Sequence, residues 1–258
     1  MPGRLSGLST IITGGAGGIG SACARLFCEE GASVLLVDRD ADACRAAASD
    51  ISDHVVEAKL SYLALDLAEE KSATEVVASA LEKFGRLDCV VNNAGIRSYE
   101  PLSAAQSKTW HDILAINLLS YAYLCREALP ELRRSGTGSI VNVSSTHGLN
   151  PRAGMGQYDV TKAGIISMTK TLAAEEAGNG VRVNAICPGP TLTSFHIKRA
   201  ATHGQSAENL KAEKRRDCLM GRWADPREVA YPILWLASTE ASFVTATAIM
   251  VDGGMPVI

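Results

Sequence analysis

Three residues in this chain have the chemistry to move a proton onto or off an alcohol oxygen: Tyr158, Lys162 and Ser145. Tyr158 and Lys162 stand four apart in a segment that reads as helix, a spacing that puts both on one face, side by side. A tyrosine in water ionises near pH ~10 and is a poor base at neutrality. A neighbouring ammonium favours the phenolate and lowers that value. Such a phenolate can take the hydroxyl proton of an alcohol as a hydride leaves its carbon; in reverse, the phenol protonates a nascent alkoxide. Ser145, at the end of an apolar strand-like run, can hold the reacting oxygen. Alone, Tyr-x-x-x-Lys is a common pattern of solvated helix faces, so this chemistry needs a hydride carrier encoded elsewhere.

The stretch from Thr13 to Gly20, Thr-Gly-Gly-Ala-Gly-Gly-Ile-Gly, supplies a place for one. It follows the apolar run Leu8–Ile12 and precedes a helix-like run, Ser21–Glu30. A glycine-rich turn between strand and helix gathers unpaired backbone N–H groups at the positive end of a helix dipole, which suits a pyrophosphate. A Cβ at Gly14, Gly18 or Gly20 would hold phosphates off the backbone. A second strand-like run, Ser33–Val37, ends at Asp38. That carboxylate lies about 20 residues after the turn, where the ribose hydroxyls of a dinucleotide need an acceptor.

The elements that must position these groups alternate along the chain. Strands are predicted at Leu8–Thr13, Ser33–Val37, Ser61–Leu65, Leu87–Val91, Ser139–Val143, Val181–Ile186 and Thr247–Val251. Helices are predicted at Ser21–Glu30, Ala41–Ile51, Lys71–Phe84, Lys108–Leu132, Gln157–Ala177 and Pro226–Ala237. Short, wholly apolar strands fit a sheet covered on both faces. The pattern predicts one α/β domain over 1–258: a Rossmann-like, doubly wound parallel sheet of about seven strands with helices on both faces. The long polar break from Thr193 to Asp225 reads as a lid or substrate-binding loop. In such sheets ligands lie beyond the carboxyl ends of the strands. Those ends carry Asp38-Arg39, Asp66-Leu67, Asn92-Asn93-Ala94-Gly95, Ser144-Ser145 and Pro188-Gly189.

Taken together, the chain resembles the short-chain dehydrogenase/reductase family, in its classical branch. The matching pieces are Thr13-Gly14-x-x-x-Gly18-x-Gly20, Asn92-Asn93-Ala94-Gly95, Asn117, Ser145, Tyr158-x-x-x-Lys162 and Pro188-Gly189. The resemblance implies that Tyr158 is the catalytic acid/base and that Ser145 orients the substrate. It implies that Lys162 meets the nicotinamide ribose and lowers the tyrosine pKa, and that Asn117 holds a water in a proton relay. Gly14, Gly18, Ile19, Gly20, Asp38, Arg39, Asp66, Leu67, Asn93, Pro188, Thr191 and Thr193 would border the cofactor, with Asp66 at the adenine amino group and Thr191 and Thr193 at the carboxamide. It also implies a homotetramer built partly from the helices Lys108–Leu132 and Gln157–Ala177. Two departures stand out. Asp159 follows the tyrosine where a small residue is usual, and is expected to point off the catalytic face. Thr245-Ala246 stands where the family usually has Thr-Gly.

The resulting expectation is an NAD(H)-dependent enzyme interconverting a secondary alcohol and a ketone. Asp38 accepts ribose hydroxyls and would repel a 2′-phosphate, an effect Arg39 partly offsets. Arg97, His147 and Arg152, with Ser145 and Tyr158, fall in segments that border the family's substrate pocket. Their donors, and the scarcity of aromatics beyond Tyr99 and Phe195, favour a small polar substrate such as a sugar, polyol or hydroxy acid. The arginines also read as solvated rim residues, and Lys198–Arg216 as a solvated helix. Trp223 and Trp235 read as core or interface anchors. Two rivals stand beside this reading: a 3-ketoacyl-thioester reductase, normally NADPH-dependent, and a non-catalytic dinucleotide sensor.

Bulk properties narrow the partners. The formal charge of -3 gives no electrostatic reason to expect nucleic acid. No apolar run reaches a membrane span, and the first ten residues lack the regions of a signal peptide. Seven cysteines are scattered without a C-x-x-C pair, so buried thiols in a reducing, cytoplasmic setting are expected. The five histidines form no ligand-spaced cluster, and no metal site is expected.

Overall fold

The computed structural model describes residues 3–255. Among the described residues, seven strands form one parallel sheet: β1 (Ser9–Thr13), β2 (Ser33–Asp38), β3 (Lys59–Ala64), β4 (Cys89–Asn92), β5 (Ser139–Val143), β6 (Arg182–Pro188) and β7 (Ala248–Val251), in the order β3-β2-β1-β4-β5-β6-β7. Every residue of β1, β4 and β5 is buried, because these central strands are covered on both faces. The edge strands β3 and β7 are only partly covered. In register, Ile12 pairs with Leu36 on one side and Val91 on the other, and Val91 with Val141.

Helices pack in two layers. On one face, α1 (Gly18–Glu29), α2 (Ala41–His54) and α9 (Pro226–Ala237) bury Leu26, Phe27, Ile51, Val229 and Ile233 against Ile12, Leu36 and Val91. On the other, α3 (Lys71–Phe84), α5 (Ser120–Ser135) and α6 (Gly156–Glu176) bury Val76, Leu124, Leu132 and Ala173 against Ile11, Leu35, Val90 and Ile140. Local chemistry sets several helix ends. Asp40 caps α2 by accepting from the N–H groups of Asp42 and Ala43, and Asp225 with Glu228 forms a capping box at α9. Gly85 and Gly136 close α3 and α5 in the left-handed conformation.

The sequence-predicted element order holds, with ends shifted by at most three residues. Three differences matter. The helix predicted at Lys108–Leu132 is α4 (Ser107–Leu114), a π-helical turn (Ala115–Leu119) and α5, run together. The strand predicted to end at Ile186 continues to Pro188, because Cys187 and Pro188 still pair with Met250 and Val251. The break from Thr193 to Asp225 is not structureless: it holds α7 (Ser194–Ala201) and α8 (Ala207–Ala212). Its base is pinned, since Leu192 donates to Ala224 O at 2.9 Å and Ala224 donates to Pro190 O at 2.8 Å.

Candidate active site

The strand order reverses between β1 and β4, so the crevice expected of such a sheet opens beyond their carboxyl ends. Hydrogen bonds lock its two lips together. The Thr13 hydroxyl accepts from Asn93 N at 3.0 Å and Ala94 N at 3.1 Å. The Asn93 side chain donates to the carbonyls of Thr13 and Gly14, both at 3.0 Å. Glycine is needed here for two reasons. Gly14 and Gly18 have φ of +60° and +55°, in the left-handed region. A Cβ on Gly20 would lie 2.1 Å from Gly14 O, so α1 could not sit against the turn. Gly20 therefore serves packing and does not border the cleft; Gly14, Gly18 and Ile19 do.

One cleft of about 680 Å³ runs from this turn across the strand ends. Its first end is lined by Asp38, Arg39, Asp66, Leu67 and Asn93, and its middle by Pro188, Thr191 and Thr193. The Asp38 carboxylate reaches back to the turn, accepting from Ala16 N at 3.3 Å. The first turn of α1 opens here with no side-chain cap and no acidic residue. Its free N–H groups and dipole suit an anionic diphosphate, so the residues present fit a dinucleotide.

The second end of the cleft is lined by Ser145, Tyr158 and Lys162 together with Arg97, His147 and Arg152. The residue pair at helical spacing is thus joined to a serine from another element. Lys162 is buried, donates to Val143 O at 2.8 Å and lies 5.6 Å from the centre of the Tyr158 ring. Burial, and then the charge of Arg97, depress the Lys162 ammonium from the usual 10.5 to about 7. The Ser145 hydroxyl accepts from His147 N at 3.2 Å and closes a short 3-10 turn.

Asn117 sits in the π-helical turn and is buried behind the cleft. Its carbonyl oxygen accepts from Ile96 N at 2.7 Å, and its amide donates to Ile96 O at 2.9 Å and Thr161 Oγ1 at 3.2 Å. It ties the segment after β4 to α6. Asp159 is buried, and its carboxylate accepts from Arg152 N at 2.8 Å, fixing the loop that carries Arg152. Trp223 is no remote anchor: it lines the cleft beside His196, with ring centres 5.0 Å apart. Lys198, Arg215 and Asp217 line it too, so part of the Lys198–Arg216 segment faces the site.

Some positioning residues carry little or no sequence signal. The fully buried Gln157 accepts from the Ser98 hydroxyl at 3.0 Å and donates to Glu100 at 3.1 Å, holding the strand-four loop against α6. Tyr121 donates to Ala94 O at 2.9 Å; its place four residues after Asn117 was the only hint. All seven cysteines are buried and free, and burial pushes Cys187 up, away from reactivity. Among the described residues no helix is long and apolar enough to cross a membrane.

Comparison with known proteins agrees with this geometry. Residues 14–256 match the family described as enoyl-(acyl carrier protein) reductase. The chain is 36% identical to a 3-oxoacyl-(acyl-carrier-protein) reductase of Chlamydia muridarum, over 96% of each chain. It is 37% identical to an L-fucose dehydrogenase of Mus musculus, covering 97% of this chain and 89% of that one. The structure of L-sorbose reductase from Gluconobacter frateurii, complexed with NADPH and L-sorbose, superposes with a TM-score of 0.92 at 32% identity, covering 99% of this chain and 98% of that chain.

Proposed function

The chain belongs to the short-chain dehydrogenase/reductase family, oxidoreductases of alcohols and ketones that bind a nicotinamide dinucleotide, and on that premise we propose an NAD(H)-dependent enzyme for a small polar secondary alcohol or its ketone. The observation that carries this reading is one cleft with a glycine turn and Asp38 at one end and Ser145, Tyr158 and Lys162 at the other. The dinucleotide, when bound, supplies or accepts the hydride. Gly14, Gly18 and Ile19 hold its diphosphate, Asp38 and Arg39 its adenosine ribose, Asp66, Leu67 and Asn93 the adenine side, and Pro188, Thr191 and Thr193 the carboxamide end. Ser145 donates to the substrate oxygen and fixes the carbinol carbon. Tyr158 takes the hydroxyl proton during oxidation and returns it during reduction. Lys162, when protonated, stabilises the Tyr158 phenolate. Asn117, bonded to Ile96 and Thr161 behind the cleft, would hold a water in the proton relay from Lys162.

The preference for NAD(H) rests on the Asp38 carboxylate at the ribose position, which would repel a 2′-phosphate. The polar-substrate reading rests on Arg97, His147 and Arg152 around Tyr158, and is supported by similarity to proteins named for L-fucose and L-sorbose. A second reading, a 3-oxoacyl-thioester reductase, is favoured by the 36% identity to proteins of that name and opposed by Asp38. We propose a cytoplasmic homotetramer, the seven free thiols fitting a reducing compartment. The segment 193–225, pinned at its base, forms the substrate wall.

The test is absorbance at ~340 nm, the band of reduced nicotinamide, with NAD+ and NADP+ over sugars, polyols, hydroxy acids and acyl thioesters. Tyr158→Phe should abolish turnover while NAD still binds. Near-wild-type turnover in that variant refutes the assignment of the base.

A further inference from the structure

The substrate end of the cleft holds two arginines, Arg97 and Arg152, that form no ion pair among the described residues. Many arginines are paired, among them Arg4 with Glu240, Arg86 with Asp88, Arg133 with Glu176, Arg222 with Glu228 and Arg227 with Glu29, whereas Arg39, Arg182, Arg199 and Arg216, like the two here, form no ion pair among the described residues. In the cleft itself Arg215 pairs with Asp217. Arg97 and Arg152 have no carboxylate partner among the described residues. The one acid beside Arg152, Asp159, turns to its backbone N–H instead of its guanidinium.

Arg97 is nevertheless held in place, and every group that holds it is uncharged. Its guanidinium carbon lies 5.6 Å from the centre of the Tyr158 ring and 5.1 Å from that of Phe195. It donates to His196 Nε2 at 3.1 Å, which leaves His196 Nδ1–H to donate to the Thr193 hydroxyl at 2.9 Å. Aromatic faces and a neutral imidazole steady a cation without cancelling its charge toward a third partner. His196 is the neutral form here, since burial and then the charges of Arg97, Arg215, Arg199 and Arg152 hold its pKa near about 4. The same Arg97 charge acts on Lys162. In the same wall the Trp223 indole N–H is buried with no acceptor. Two guanidiniums without an ion-pair partner thus share this wall with the Asp217 carboxylate, which Arg215 occupies; the Asp159 carboxylate beside Arg152 keeps one oxygen without a hydrogen-bond partner.

We propose that Arg97 and Arg152 form an oxyanion subsite, and that the substrate is a short alcohol or ketone bearing an anionic group a few bonds from the reacting carbon. This rests on the oxidoreductase reading above and narrows it from polar to anionic substrates. The separation follows from Arg97 standing over the Tyr158 ring. The shared chemistry is that of planar or tetrahedral oxyanions, carboxylate first and sulfonate or phosphate next. The guanidinium fork matches these oxygens, and hydrogen bonds to a charged acceptor are stronger than those to a sugar hydroxyl.

Two measurements test it, with purified wild-type, Arg97→Met and Arg152→Met protein. NAD binding is measured first in each, to show that the fold is retained. The first measurement is turnover of 2-, 3- and 4-hydroxy acids against their primary amides, which keep size and polarity but lose the charge. Hydroxyalkyl sulfonates and phosphates form a second panel. The wild type should prefer the anion in kcat/KM by roughly 10–100-fold, the range of a hydrogen bond to a charged group. That ratio should collapse toward one in either variant. The second measurement is calorimetric binding of non-reacting propionate and methanesulfonate to the protein with NADH present. It should be saturable in the wild type and lost in the variants. Anion binding without turnover of any alcohol sinks the oxidoreductase reading and leaves the subsite. Turnover without anion preference, together with no anion binding, overturns the subsite and leaves the reaction. A substrate preference unchanged by both substitutions overturns the assignment of the arginines.

Discussion

Replacing Lys162 by Met should make the ligand-free protein more stable while removing its activity. Lys162 is buried and its ammonium donates to a single recorded acceptor, Val143 O at 2.8 Å. Its depression from 10.5 to about 7 means that the folded site disfavours the charge. At about 1.4 kcal/mol per tenfold change in proton affinity, that penalty is roughly 5 kcal/mol when both states are protonated. Methionine is similar in length and removes the charge, but leaves Val143 O with one bond fewer, a loss of about 1–1.5 kcal/mol. The net gain is about 3.5–4 kcal/mol, or roughly 7–16 °C in Tm for a chain of this size. The pH dependence carries a definite sign. Below pH 7 folded and unfolded states both hold the proton, so the penalty is full. Between about 7 and 10.5 the unfolded state binds more protons, so wild-type stability rises with pH relative to the variant. Above 10.5 the penalty is gone. The assay is thermal unfolding of both proteins without cofactor from pH 6 to 10. The gap should be widest at pH 6 and shrink steadily above 7. A variant less stable than wild type at pH 6, or a gap that does not change with pH, would refute the argument from burial.

Further outcomes follow from named contacts. Asp38→Ala should narrow the preference for NAD(H) over NADP(H), because the carboxylate that faces the ribose position is gone; kcat/KM with each cofactor decides it, and a wild type that already prefers NADPH contradicts the reading of Asp38. Ala246→Gly should stabilise the protein by about 0.5–1 kcal/mol, since Ala246 is held at φ +61° with its N–H bonded to Val183 O at 2.9 Å, a conformation glycine adopts without strain; denaturant midpoints measure it, and a loss of stability would show that the strain is absent. The protein should run as a tetramer by light scattering at micromolar concentration, and a monomer would refute the assembly.

The periodicities of the sequence determined much of this molecule. Alternation of short apolar runs with helical stretches calls for a parallel sheet covered by helices, because such strands need both faces buried. The glycine spacing at Gly14, Gly18 and Gly20 demanded a tight turn, and the four-residue step from Tyr158 to Lys162 put them on one face, since helix geometry is local. The residues at the strand ends were legible for the same reason: in a parallel sheet every carboxyl end lies on one edge. Sequence could not show what depends on contacts between distant segments. The π-helical turn at Ala115–Leu119 that buries Asn117 against Ile96 and Thr161 has no local signature. Asp159 was expected only to point off the catalytic face; that tertiary packing buries it against the backbone of Arg152 has no local signal. Gly20 matched a cofactor motif, yet its role is set by the 2.1 Å that a Cβ would leave to Gly14 O. Above all, the charge state of the site was decided in three dimensions. Arg97 and Arg152 come from two separate loops and His196 from α7, and the charge of Arg97 bears on Lys162 only because the chain brings them to one cleft. Electrostatic energies depend on distance and burial, and neither is written in the order of the residues.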